Sequence, residues 1–145
     1  MPRGFTAEIN RYGCPCGQGN YEDCCGPLHR GEKRALTCEQ LMRSRYSAFA
    51  RSEITYLLQT HQEPELPDKL RRRQLEQNCR RVDWLGLNII SIDQGQEHDL
   101  EGTVTFEACY KTSGKKNLHK ETSYFQRREM QPEGDWLYIK AQKLA

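Results

Sequence analysis

Between Gly13 and Gly26 the chain reads Gly-Cys-Pro-Cys-Gly-Gln-Gly-Asn-Tyr-Glu-Asp-Cys-Cys-Gly, so four of its seven cysteines, Cys14, Cys16, Cys24 and Cys25, fall within twelve residues. Glycines and a proline punctuate the stretch, which suits tight turns and offers almost nothing from which to build a core. Two thiolate pairs joined by a short glycine-rich turn can close a tetrahedron around one zinc ion at Zn–S distances of about 2.3 Å. With all four corners filled by sulfur, such a site organises a fold and leaves no position for a substrate.

Other uses of these cysteines fit less well. A disulfide framework suits small secreted domains, but no apolar stretch follows Met1-Pro2-Arg3 to direct export, and seven cysteines leave one thiol over in any fully paired scheme. Redox chemistry at Cys14-Pro15-Cys16 or at vicinal Cys24-Cys25 needs a lowered thiol pKa, and it does not explain two pairs in one loop. The spacing favours structural zinc in a reducing, cytoplasmic setting. His29, four residues past Cys25, is a candidate to replace one of the sulfurs, since nitrogen and sulfur both suit zinc. Cys38, Cys79 and Cys109 stand alone and read as small, semi-buried side chains.

The pattern Cys-Pro-Cys-Gly-x-Gly, then Tyr, then Cys-Cys resembles the SEC-C motif, a zinc-binding element also found at the C-terminus of the preprotein translocase ATPase, where it contacts a partner chaperone and the ribosome. Seven residues separate Cys16 from Cys24, one fewer than is usual, and Gln18 stands where serine is common. That departure bears on the loop rather than on the metal. Leu41-Met42-Arg43-Ser44-Arg45-Tyr46-Ser47-Ala48-Phe49, Thr60-His61, Trp84-Leu85-Gly86-Leu87, Glu101 to Phe106 and the closing Trp136-Leu137-Tyr138 resemble the YchJ-type family of small bacterial proteins. This resemblance implies a cone-shaped body like that of nuclear transport factor 2, with no assigned activity.

The body reads the same way from its own periodicity. At 145 residues, 36% hydrophobic and 29% charged, the chain has room for one modest core and an appended module, divided here as 1–35 and 36–145. Thr37 followed by Gln40 makes a capping box for a helix to about Arg51, with Leu41, Met42, Arg45, Tyr46, Ala48 and Phe49 on one face. Ile54, Leu57, Leu58 and His61 carry a second short helix. A third runs from Pro67 to about Arg81 with Leu70 and Leu75 as its anchors, a stripe thin enough to predict a surface helix. After Val82 the period becomes two: Leu85-Leu87-Ile89, Val104-Phe106-Ala108-Tyr110, Glu121-Ser123-Phe125 and Trp136-Tyr138, with turns at Gly95, Gly114 and Gly134. Helices first and an antiparallel meander after them define an α+β chain, its leading helices packed on a curved sheet.

Arg45 lies mid-face between Leu41 and Phe49, where a guanidinium costs several kcal/mol unless it is paired and hydrogen-bonded. Glu121 shares strand parity with Ser123 and Phe125, so an Arg45–Glu121 pair is expected in preference to Glu107. Such a pair fixes helix against sheet; alternatively it forms the polar floor of a ligand cavity. His61, Tyr110, Trp136 and Tyr138 are candidates for the same cavity. His61, ending its helix, is a candidate base or a positive cap, although no nucleophile or carboxylate stands near it in a catalytic pattern.

Charge is segregated along the chain. Lys69, Arg71, Arg72, Arg73, Arg80 and Arg81 cluster in the third helix, whereas residues 93–107 carry Asp93, Glu97, Asp99, Glu101 and Glu107 and no Lys or Arg. The five arginines are candidate anion contacts for weak, nonspecific RNA binding, but a net charge of +2 and the lack of interleaved aromatics there favour a solvated helix. No apolar run reaches the roughly 18 residues of a membrane span. Two functions remain: an interaction or adaptor protein that docks its zinc knuckle on a protein or ribonucleoprotein, or a small enzyme or ligand-binding protein using the cone. The second rests on fold analogy.

Overall fold

The computed structural model describes residues 12–61 and 65–142; residues 1–11 of the expected 1–35 segment lie outside the described residues. A hairpin-like loop over 12–20 leads through a 3-10 turn at Tyr21–Asp23 into a one-turn helix, α1 (Gly26–His29). Thr37 then starts α2 (Cys38–Arg51) by accepting the Gln40 N–H through Oγ1 at 3.2 Å, while the Gln40 side chain accepts the Leu36 N–H at 2.6 Å. Two backbone donors at the helix start are thereby satisfied, as the capping-box spacing predicts. Ser52, left-handed at φ 60°, ends α2 and turns the chain into α3 (Ile54–Gln59). Ser44 on α2 bonds the Tyr56 hydroxyl on α3 at 2.7 Å and fixes the angle between the two. The third expected helix, α4 (Asp68–Arg81), lies on the surface with no buried residue, and only Leu75 packs against the core.

The sheet is a four-stranded antiparallel meander in sequence order: β1 (Asp83–Gln94), β2 (Glu101–Thr112), β3 (Lys115–Arg127) and β4 (Trp136–Gln142). Ser113 and Gly114, both at positive φ, form a two-residue turn whose twist matches the strands it joins. Gly95, at φ +73°, has no alternative residue: a Cβ there would stand 2.0 Å from Cys38 Sγ. Leu41, Met42, Ala48 and Leu57 of the helices bury against Val104, Phe106 and Phe125 of the strands, each large side chain contributing about 1.5–3 kcal/mol. None of the described helices is long and apolar enough to cross a membrane.

Two strands depart from simple alternation: β4, where Trp136 and Leu137 are both buried and the register with β3 shifts between Tyr124 and Phe125, and β1. The β1–β2 register shifts between Trp84 and Gly86 and again between Ile89 and Ser91. The first bulge turns Leu85, expected on the face of Leu87 and Ile89, out to 42% exposure and carries Trp84 inward.

Candidate functional site

The cysteines are brought together by turn geometry. Cys14 N–H donates to the Gly19 carbonyl at 2.8 Å and Gly17 N–H to the Cys14 carbonyl at 3.0 Å, closing a loop that requires positive φ at Gly17 (+92°) and Gly19 (+81°). The turn at Tyr21–Asp23 returns the chain, and Cys24 and Cys25 arrive at the start of α1. All four sulfurs lie within 4.8 Å of one another, with Cys16–Cys24 at 3.5 Å and Cys24–Cys25 at 3.9 Å. A tetrahedron with 2.3 Å metal–sulfur bonds has edges of about 3.8 Å, so the donor set fits a closed four-sulfur metal site.

The electrostatics point the same way. Hydrogen bonds from Cys16 and Cys25 push the Cys14 thiol far down, whereas Cys25 is pushed up, first by its bond to Cys14, and Cys24 is raised to about 12, first by burial. The cluster favours a thiolate at Cys14 and resists ionisation of Cys24 and Cys25; a bound cation removes that resistance.

Helix α2 supports the cluster. Ser47 Oγ lies 3.3 Å from Cys14 Sγ and donates to Cys25 Sγ at 3.3 Å, and Arg43 Nη1 donates to the Cys16 carbonyl at 2.9 Å. The Arg51 guanidinium sits 3.7 Å over the Tyr21 ring. His29 does not replace a sulfur: Nε2–H donates to the Ser44 carbonyl at 2.8 Å and Nδ1 meets the Tyr21 hydroxyl at 2.7 Å, so both ring nitrogens are engaged. Burial holds its pKa down, which favours this neutral form. Ser47 and Arg43 escaped the sequence reading, although their spacing with Arg51, four residues apart along a helix, marks a polar stripe opposite the apolar face. Beside Cys24 a surface groove of about 390 Å³ is lined by Gln18, Lys33, Arg34 and Leu36.

The second site is a cavity of about 380 Å³ between α2 and the concave face of the sheet. Met42, Phe49, Val82, Phe106, Ala108 and Phe125 give it apolar walls, Tyr46, Trp84 and Tyr110 an aromatic side, and Arg45, Asn78, His119, Glu121, Ser123 and Tyr138 its polar groups. Glu121 faces inward, as strand parity predicts, but the Arg45–Glu121 pair does not form. Glu121 accepts instead from Ser123 Oγ (2.5 Å) and the Tyr138 hydroxyl (3.2 Å) and meets His119 Nε2 at 2.9 Å. Arg45, 8% exposed, donates from Nη1 to the Leu57 carbonyl (3.0 Å) and Thr60 Oγ1 (2.7 Å) at the end of α3, and its guanidinium stacks 4.9 Å from the Tyr138 ring. Among the described residues no carboxylate forms an ion pair with it, and burial pushes its pKa down to about 10.

Two expected lining residues lie elsewhere. Trp136 is buried outside the cavity, donating to the Leu36 carbonyl at 3.1 Å beneath the Arg127 guanidinium. His61 lies past the end of α3 in a bridge to Tyr138, and its pKa is lowered to about 4, first by burial and then by Arg45 and Arg71. A ring neutral at pH 7 provides no positive cap. Of the five arginines named as anion contacts, Arg72, Arg73, Arg80 and Arg81 are exposed, whereas Arg71 is tied to the His61 carbonyl at 2.5 Å and to Asp68 at 3.3 Å.

The sequence matches the family described as YchJ, middle NTF2-like domain, over residues 37–141. It is 38% identical over 143 residues to a UPF0225 protein of Ralstonia nicotianae, covering 96% of each chain. It is also 40% identical over 126 residues to a UPF0225 protein of Streptomyces coelicolor, covering 86% of this chain and 90% of that one. Among solved structures it is similar to a SEC-C motif containing protein from Rhodopseudomonas palustris (TM-score 0.72, 30% identity, 91% of this chain and 98% of that one). A second, from Psychrobacter arcticus, has a TM-score of 0.69 at 26% identity, over 91% of this chain and 84% of that one. Four clustered cysteines on an α+β cone, and relatives that match nearly end to end, lead to one assignment: the chain belongs to the YchJ-type family of UPF0225 proteins, an NTF2-like fold with an N-terminal SEC-C motif.

Proposed function

We propose that the cysteine knuckle holds one structural zinc ion and that the protein acts as an adaptor, presenting the rigid face around Cys24 to a protein partner. The observation that carries this reading is the convergence of four sulfurs within 4.8 Å on a loop braced by α2. Zinc, with no geometric demand of its own, is the metal whose structural sites are tetrahedral four-cysteine sets, and the reducing cytoplasm keeps such thiols available. The groove beside Cys24 offers Leu36, 51% exposed, next to Lys33, an apolar contact within a polar rim of the kind that protein interfaces use. A ribonucleoprotein partner would in addition engage the exposed arginines of α4 through phosphate.

Native mass spectrometry of the purified chain tests the metal: one zinc per chain is expected, and a metal-free fold with intact thiols, or two disulfides, overturns it. The docking face is tested by affinity capture with wild type beside Leu36→Asp, a side chain that faces solvent and touches no ligand. A partner retained by wild type and lost by the zinc-loaded variant supports the adaptor reading. Identical capture by both refutes the groove.

A further inference from the structure

We propose that the cone cavity binds a small carboxylate with a planar apolar body, held by Arg45 and the Trp84 ring. This rests on the cavity alone and not on the metal. At about 380 Å³ the space lies within the range of small-molecule pockets, and aromatic and aliphatic side chains form most of its wall.

The buried polar group on this wall that keeps unused donors is Arg45. Arg45 spends Nη1 on Leu57 and Thr60; among the described residues Nε and Nη2 find no protein acceptor. Those two nitrogens form one edge of the guanidinium, the edge that grips a carboxylate through two parallel hydrogen bonds. Trp84 lines the same cavity, and its indole Nε1 is the one fully enclosed side-chain donor or acceptor among the described residues that has no hydrogen bond. No water-sized space reaches that nitrogen, so a ligand in the cavity meets the Trp84 ring rather than its N–H.

The Glu121 carboxylate, by contrast, is already engaged. Glu121 already receives Ser123 and Tyr138 on one oxygen and meets His119 on the other. A cationic ligand would have to displace these contacts, whereas an anion neutralises the buried Arg45 charge, which pairs with no carboxylate among the described residues. A phosphate dianion would place a second charge near Glu121 with no second cation to receive it. A monocarboxylate matches one guanidinium edge, and an aromatic or similarly flat body fits between Phe49, Phe106, Tyr110 and Phe125.

The test uses the full zinc-loaded chain, labelled with nitrogen-15 and titrated separately with benzoate, benzamide and toluene at pH 7. The two tryptophans give two indole N–H signals, and that of Trp136 is already bonded to the Leu36 carbonyl. Benzoate is expected to move the Trp84 signal, leave that of Trp136 in place, and bind at least tenfold more tightly than benzamide or toluene. Arg45→Gln should lower benzoate affinity at least tenfold and leave toluene unaffected. Arg45→Lys, which keeps the charge and loses the two-nitrogen edge, should weaken benzoate severalfold, and it tests the site independently if Arg45→Gln fails to fold. No movement of the Trp84 signal at millimolar benzoate overturns the site. Equal binding of all three probes, or undiminished benzoate binding by either variant, overturns the carboxylate assignment.

Discussion

Replacing Arg45 with methionine removes a buried charge while keeping most of the side chain's length and apolar bulk. The fall of the guanidinium from 12.5 to about 10, caused chiefly by burial and offset only in part by Tyr138, Tyr56 and Glu121, means that the folded state disfavours the charge by roughly 3 kcal/mol. Methionine relieves that cost. Against it, the Leu57 carbonyl and Thr60 hydroxyl lose their donor, at about 1–3 kcal/mol. The ring contacts to Tyr138 and Phe49 pass from guanidinium to thioether, an exchange of similar magnitude. The net change is expected within about 1 kcal/mol of zero, a Tm shift below about 4 °C for a chain of this size. A buried ion pair would behave otherwise, because stranding its carboxylate costs about 3–5 kcal/mol and lowers Tm by roughly 10 °C or more. Thermal melts followed by circular dichroism, at matched zinc content, separate the two. A fall beyond about 8 °C would falsify the reasoning. A stable variant would mean that the fold carries a cation it does not need, as a binding site for an anion requires.

Two further outcomes follow from contacts outside that pair. Ser47→Ala removes the hydroxyl between Cys14 and Cys25; zinc affinity, measured by competition with a chromogenic chelator, should fall at least about tenfold with the fold retained, and an unchanged affinity would show that Ser47 only fills space. His61 binds a proton more weakly when folded, about 4 against 6.5, so its contribution to stability declines as pH drops below about 6.5 and the loss is complete near pH 4. The ring is only partly buried, which limits the loss between pH 7.5 and 5 to about 1 kcal/mol. Urea unfolding of wild type and His61→Gln at the two pH values should show wild type losing that much more, and parallel losses would place the acid sensitivity elsewhere.

The features legible in the sequence are those set by spacing along the chain. Cysteine spacing located the knuckle, the Thr37–Gln40 interval located the start of α2, and strand parity placed Glu121 on the concave face. Parity gives direction and not distance, however. Whether Glu121 reaches Arg45 depends on how far the sheet curves from α2 and on the competing donors Ser123 and Tyr138 beside it, neither of which a period reveals. Arg45 turned to the end of α3 because the left-handed turn at Ser52 brings two oxygens, Leu57 O and Thr60 Oγ1, within its reach. Trp84 was hidden for a related reason: a bulge breaks alternation at the position that decides which side chain enters the cavity.

The same helix serves both sites, and its geometry keeps them apart. At 100° per residue, Arg43, Ser44, Ser47 and Arg51 form one stripe of α2, and Met42, Arg45, Tyr46 and Phe49 form another about 160° away. The first stripe meets the knuckle: Arg43 the Cys16 carbonyl, Ser44 the His29 ring, Ser47 two sulfurs and Arg51 the Tyr21 ring. The second lines the cone. This division explains why polar residues are buried on both sides of one short helix. Ser44 and Ser47, each 0% exposed, are covered by the knuckle, so their hydroxyls are hydrogen-bonded without any access to solvent. A helix that served only as the lid of a hydrophobic cone would carry apolar or solvated residues at these positions. A buried serine facing sulfur on one side and a buried arginine facing a cavity on the other are the marks of an element that positions two separate sites.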